Sequence, residues 1–258
     1  MDRRNRIQAI AESEEERMLL IRVCDKLERG YEREIPVSTS FLTPREQALV
    51  KQLLPHAEFW GGTEGADRKV AYYIPDYMSR EDFFTDGAIA CIRGSFYEAD
   101  SLTHRDVLGA LMGAGIRRDA VGDIMIGEKD CAFFLLGELT NYLLDNLTSA
   151  GRQHLQLEQV DPNTVEKPPQ EMKELRVTVS SMRLDSVLSA AFHLSRGKTA
   201  EAIQRGLVNL NSLTCIKPDK QVNCLDELSL RGKGKLRILE LHGQTKKDRM
   251  AITVGIYQ

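Results

Sequence analysis

The sequence predicts an α+β chain in three parts. A helical N-terminal region covers residues 1–75 and a ferredoxin-like βαββαβ domain covers 76–160; beyond a linker over 161–174, a module over 175–258 packs two helices on a small antiparallel sheet. Three observations carry this reading. Helical spacing of apolar residues dominates up to His56. Between about 80 and 160, β-rich and helical runs alternate in an order that folds as a small antiparallel sheet with helices on one face. Residues 159–174 hold three prolines among polar side chains, the composition of an extended connector.

In chain order, Ile7, Ile10, Ala11, Leu19, Val23 and Leu27 give an amphipathic helical start. A second helix is punctuated by Thr43 as cap, Pro44 at its first position, Glu46 closing a capping box and Pro55 stopping it. Phe59-Trp60-Gly61-Gly62 makes an apolar stretch and a turn, and Val70 to Ile74 reads as a strand stopped by Pro75. The middle domain follows as strand 88–93, helix 103–112, strands 123–126 and 131–136, helix 138–147 and a strand near 154–158. Many RNA-binding domains, the RNA-recognition motif among them, share this plan, but the strands here lack the aromatic signature that stacks bases on the sheet. Gly109, Gly113 and Gly115 come late in their helix and in the wrong order for a dinucleotide loop. Thr103 and Asp106 form a capping box instead, with Gly113 and Gly115 expected to let the helix pack closely and end.

In the last module, Leu184, Val187, Leu188, Ala191 and Phe192 make one apolar stripe. Ser195 caps a second helix running to Arg205, where Gly206 ends it in a left-handed conformation. Ala202 and Ile203 face inward, while Arg196, Lys198 and Arg205 gather on the exposed side. A strand over 207–210 turns at Asn211-Ser212, and further strands follow at 228–230, 236–241 and 250–256. Residues 176–258 hold 14 Lys/Arg against 7 Asp/Glu, so a +7 tail is masked by −10 upstream in a chain of net −3. Clustered cations beside a structured hairpin suit a phosphate backbone.

Arg183-Leu184-Asp185, Ser195-Arg196, the helix through Ala202, Arg205-Gly206, Val208 and Asn211 resemble the S-four RNA-binding domain. The resemblance implies a cationic brace that grips structured RNA by shape and backbone. It implies RNA-binding roles for Arg183, Ser195, Arg196, Lys198, Thr199, Ala202, Arg205, Asn209, Asn211, Lys233 and Lys235. One departure stands out: where the family usually has Gly after the strand Asn, this chain has Ser212.

Upstream, Phe59-Trp60-Gly61-Gly62, Ala66-Asp67-Arg68-Lys69, Leu102-Thr103-His104-Arg105-Asp106, Leu111-Met112-Gly113 and Ile116-Arg117-Arg118 extend the likeness along the chain, which resembles the bacterial YlmH family. The resemblance implies a cytosolic RNA-binding factor of ribosome-associated quality control. Its implied partners are ribosomal RNA and tRNA on a large subunit carrying a stalled peptidyl-tRNA. Arg105, Arg117 and Arg118 form a second, smaller RNA contact in this reading.

Composition narrows the alternatives. No apolar run approaches the roughly 20 residues of a membrane span, and the basic start leads into Glu-rich sequence with no signal-peptide core. Five scattered cysteines and five histidines show neither a disulfide framework nor zinc-ligand spacing, so no metal or other cofactor is expected. No catalytic residues are assigned. His104 and Asp106 lack a nucleophile at suitable spacing and read as a polar helix start. Two other classes remain open: a pseudouridine-synthase-like RNA-modifying enzyme with an S-four targeting domain, and a division protein binding protein partners through the acidic N-terminal region.

Overall fold

The computed structural model describes residues 3–97, 102–165, 167–168, 170–244 and 249–258. They form an α+β architecture of two compact units, Met1–Lys167 and Pro168–Gln258.

The first unit opens with α1 (Arg3–Ile10) and α2 (Glu14–Arg33). Ser13 accepts the Glu16 N–H at the start of α2, where three glutamates favour the positive end of the helix dipole. Its apolar face buries Leu20, Val23, Cys24 and Leu27. β1 (Val37–Leu42) interrupts the helical region expected up to His56, because its β-branched and aromatic residues alternate between two surfaces. α3 (Pro44–Leu53) carries the capping box of Thr43 and Glu46. β2 (Glu58–Trp60) and β3 (Lys69–Tyr73) complete an antiparallel sheet of order β1-β3-β2.

α4 (Arg80–Phe83) leads into a π-turn over Phe84–Ala88 and then β4 (Ile89–Ser95). α5 (His104–Gly113), β5 (Val121–Ile126), β6 (Asp130–Leu136) and α6 (Thr140–Asn146) follow. A short hairpin of β7 (Ser149–Ala150) and β8 (Gln153–His154) precedes β9 (Gln156–Val160). The sheet order β5-β6-β4-β9, antiparallel throughout, is that of a βαββαβ ferredoxin-like unit.

Strand alternation divides this sheet between two cores. Ile92, Phe133 and Leu135 face the helices, packing with Val107 and Leu111 of α5 and Leu143 of α6. Cys91, Ala132 and Phe134 face the other way, against Phe41 and Val70 of the N-terminal sheet. Phe133 and Phe134 are fully buried, one on each side, and each such side chain contributes about 1.5–3 kcal/mol. Residues 1–75 and 76–160, expected as separate domains, are therefore one unit with a shared core.

The linker expectation is also corrected. Asp161 caps a 3-10 turn over Pro162–Thr164, Val165 is buried, and the Thr63 hydroxyl donates to its carbonyl at 3.0 Å. Lys167 meets Asp67 at 2.7 Å and Asp123 at 2.9 Å. Burial opposes the Lys167 charge and the two carboxylates outweigh it, so its pKa is raised. Residues 161–167 thus belong to the first unit, and 172–174 already lie in a strand; Glu166 and Pro169 fall outside the described residues.

The second unit begins with that strand, β10 (Met172–Val179), then α7 (Leu184–Ala191) and α8 (Arg196–Gln204). β11 (Val208–Leu210), β12 (Leu213–Thr214), β13 (Glu227–Leu230), β14 (Gly234–Gln244) and β15 (Met250–Tyr257) complete it. The strands form one antiparallel sheet of order β10-β15-β14-β13-β11-β12. Leu184, Val187, Leu188 and Ile203 of the helices pack on Leu228, Leu236, Ile238 and Val254 of the sheet.

Candidate nucleic-acid interface

In the second unit, the side chains expected to meet RNA separate into exposed cations and structural pins. Ser195 caps α8 by accepting the Lys198 N–H at 3.3 Å, which fixes the first turn and leaves Arg196 and Lys198 exposed on it. Arg196 is steadied by donating to the Ser180 hydroxyl at 2.9 Å. The helix N-terminus adds its own positive field to theirs. Lys198 and Lys233 make no ion pair among the described residues, and Lys233 sits exposed at the turn between β13 and β14. Arg205 is exposed and pairs loosely with Glu201 at 3.6 Å, a contact water screens.

Other expected contacts are buried or already bonded within the unit. Thr199 is fully buried and donates to the Ser195 carbonyl at 3.1 Å, which holds the helix start from inside. Ala202 packs half-buried against the core. The Asn211 amide is engaged at both ends, donating to Asp226 at 2.8 Å and accepting the Glu227 N–H at 2.8 Å. Asn209 is half-buried between β12 and β13. Arg183 makes a two-point pair with Asp185, both bonds 3.1 Å, and that hydrogen-bonded carboxylate raises its pKa. Lys235 meets Glu227 at 2.8 Å and lies over the Tyr257 ring at 4.9 Å.

Ser212 settles the turn. Asn211 and Ser212 both have positive φ, 50° and 68°, between paired strands β11 and β12. That is the two-residue hairpin geometry favouring Asn-Gly, so the serine occupies a left-handed position that glycine adopts more readily.

Arg249 was not anticipated. It lies far along the chain from Arg196, but the antiparallel pairing of Val179 with Met250 brings its segment back beside β10. Arg196, Arg249, Ser180, Ser186 and Ser189 line one groove of about 410 Å³, with Arg249 donating to the Thr178 carbonyl at 3.2 Å.

In the first unit, the sheet face that reads RNA in RNA-recognition motifs is buried beneath Phe41 and Val70. Arg105 and Arg117 are exposed, Arg117 beside Asp119 at 3.2 Å. Arg118 bonds inward to the Val121 carbonyl at 2.7 Å, and burial lowers its pKa. Asp106 closes the Thr103 capping box as expected. Contrary to the close packing expected at Gly113 and Gly115, a methyl group at either would meet nothing within 4 Å, although Gly115, at φ 83°, does follow the helix end; the space beside Gly109 is equally open.

Residues 96–164 match the family model described as "Putative RNA-binding domain in YlmH". The chain is also 33% identical over 221 residues, 83% of its length and 85% of the relative's, to the ribosome-associated protein quality control protein P2 of Bacillus subtilis (strain 168). The chain belongs to the YlmH family. In the solved structures, the cell division protein YlmH from Streptococcus pneumoniae matches with TM-score 0.51 at 20% identity, covering 61% of this chain and 98% of its own. At that identity the likeness concerns the fold. The YlmH match over 96–164 includes Arg105 and Arg117 on α5 and its following turn, upstream of the S-four-like cations. Among the described residues, no group of three His, Cys, Asp or Glu is disposed to hold a metal, and no helix is long and apolar enough to cross a membrane.

Proposed function

We propose that the protein is a non-catalytic RNA-binding factor that grips ribosomal RNA and tRNA on a large ribosomal subunit carrying a stalled peptidyl-tRNA. Membership of a family with a ribosome-associated quality-control relative supports the setting. The observation that carries the binding chemistry is the exposed Arg196–Lys198 pair, held on a capped helix start in a unit of strongly positive sequence. Arg205, Lys233 and Arg249 extend it as phosphate contacts, which position an RNA backbone without specifying sequence. In the first unit, Arg105 and Arg117 supply the second contact. Gly109 and Gly113 leave α5 smooth, letting an RNA backbone approach closely, and Gly109, in the helix interior, carries a penalty of about 0.5–1 kcal/mol against Ala that packing does not repay.

Sedimentation of lysate through a sucrose gradient tests the reading: the protein should travel with large subunits at low salt and leave them as salt rises. Retention wholly at the top in low salt refutes it. Crosslinking then identifies the RNA, and nucleoside analysis of RNA incubated with the protein separates a binder from a modifying enzyme, which would leave an altered base.

A further inference from the structure

The first unit contains a second feature that the basic surfaces do not use. Trp60 ends β2 half-buried, and the guanidinium of Arg80 lies over its ring at 4.0 Å. Phe84 stands beside it at 6.3 Å and 54°, itself braced edge-on by Tyr72 at 5.1 Å. The cavity next to this stack measures about 840 Å³, at the upper end of the roughly 300–1,000 Å³ of ligand sites. Thr85 and Glu81 line it from the α4 and π-turn side, Gln159, Asp161 and Asn163 from the end of β9 and the turn after it. A neighbouring cavity of about 370 Å³ shares Trp60, Gly62, Pro162 and Asn163 with it. The turn over Phe84–Ala88 that forms one wall is kinked at Gly87, whose φ of 97° is left-handed.

We infer that this cavity takes one unpaired nucleobase of a bound RNA, stacked between Trp60 and Arg80. The inference rests on the RNA-binding reading above and deepens it. An indole and a planar guanidinium are the two surfaces on which splayed-out bases stack. Among the described residues, Arg80 is the sole cation lining the larger cavity, against the carboxylates of Glu81 and Asp161, so the lining suits the amino groups of a base edge and repels a phosphate. The base enters as Arg80 swings from the ring and closes over it, while the sugar and phosphate stay outside. Gln159 to Asn163 fall inside the stretch 96–164 that matches the RNA-binding family model, which places this wall in the part of the chain with that relationship.

Trp60 is the only tryptophan in the chain, so fluorescence excited selectively at tryptophan, beyond the absorption of the seven tyrosines, reports on this cavity in the folded full-length protein. The probes are a short mixed-sequence single-stranded RNA, the same RNA in a blunt duplex, and the four nucleoside monophosphates, with filter binding in parallel. Single-stranded RNA should quench Trp60 and the duplex should not. Arg80→Ala, at an exposed site and checked for folding by circular dichroism, should weaken single-strand binding about five- to a hundredfold and leave duplex binding unchanged. Equal quenching by the duplex, or unchanged single-strand affinity in Arg80→Ala, overturns the inference. Quenching by monophosphates at lower concentration than by RNA overturns RNA as the source of the base. If the filter retains RNA while Trp60 is silent to every probe, the cavity assignment falls and the RNA-binding reading stands; if the filter retains no RNA at all, both fall.

Discussion

Alanine at both Arg196 and Lys198 should lower RNA affinity in a way that salt exposes. The two side chains are exposed on the first turn of α8, and Arg196 is already oriented by Ser180 at 2.9 Å. If each contacts one duplex phosphate, each contributes about 0.9 to the slope of log affinity against log salt, so the double variant flattens the slope by about 1.8. Taken from a 1 M reference, that amounts at about 0.1 M salt to roughly eightfold per cation and sixtyfold together, or about 2.4 kcal/mol. Fluorescence anisotropy of a labelled helical fragment of large-subunit RNA, titrated at several salt concentrations, reads both numbers. Thr199→Val is the internal control. Its hydroxyl is buried under the same turn, so it should cost stability and leave the slope alone. A double variant with the wild-type slope refutes the assignment, even if its affinity falls, because lost affinity without lost counterion release means the fold changed and the phosphate contacts did not.

Asp123 accepts Asp67 N–H, Arg68 N–H and the Lys167 ammonium at 2.8–2.9 Å while 8% exposed, so Asp123→Ala should destabilise the first unit by about 3–5 kcal/mol in urea followed by Trp60 fluorescence; a loss under about 1 kcal/mol would sink the clamp. The raised pKa of Lys167 means its contribution is complete below its unfolded value, near about 10.4, and fades as pH rises through the folded one, so Lys167→Met should remove part of the alkaline loss of stability in the same assay. Burial pushes Cys91 up to about 12 and Cys24 and Cys131 up to about 11; a thiol reagent at pH 8 should label exposed Cys224 first and reach these three only on unfolding, and fast labelling of Cys91 would contradict its burial. Gly109→Ala should stabilise α5 by about 0.5–1 kcal/mol in thermal melts yet weaken RNA binding; stabilisation with unchanged binding would remove α5 from the interface.

The helices were legible because caps and periodicity are local. Thr43-Pro44 with Glu46, Thr103 with Asp106, and Ser195 before α8 all sit where the sequence placed them. Strands were harder. β1 has only six residues among long helices, and β10 was hidden by the prolines just before it, although Leu175, Val177 and Val179 alternate as a strand with one buried face. The shared core of Phe41, Val70 and Phe134 could not be read from the chain, since nothing local says which two sheets will stack. The site divided in the same way. Motif letters marked Arg196 and Lys198 correctly as exposed cations, but gave Thr199 and Asn211 the same weight, and only burial and bonding separate a contact from a pin. Arg249 and Arg80 needed strand pairing and ring geometry to acquire a setting.

Gly137 lies just past β6 and lines neither cavity next to Trp60, yet a β-carbon there would come within 1.7 Å of the Gly87 carbonyl in the π-turn. A side chain at 137 requires the Gly87 turn or the backbone at 137 to shift, and that turn carries the Phe84 and Thr85 wall. Where the turn yields, variation at this position would retune what the cavity admits from behind, without changing the identity of any residue that lines it. A lineage could change its preference for a guest through a residue that the guest never meets.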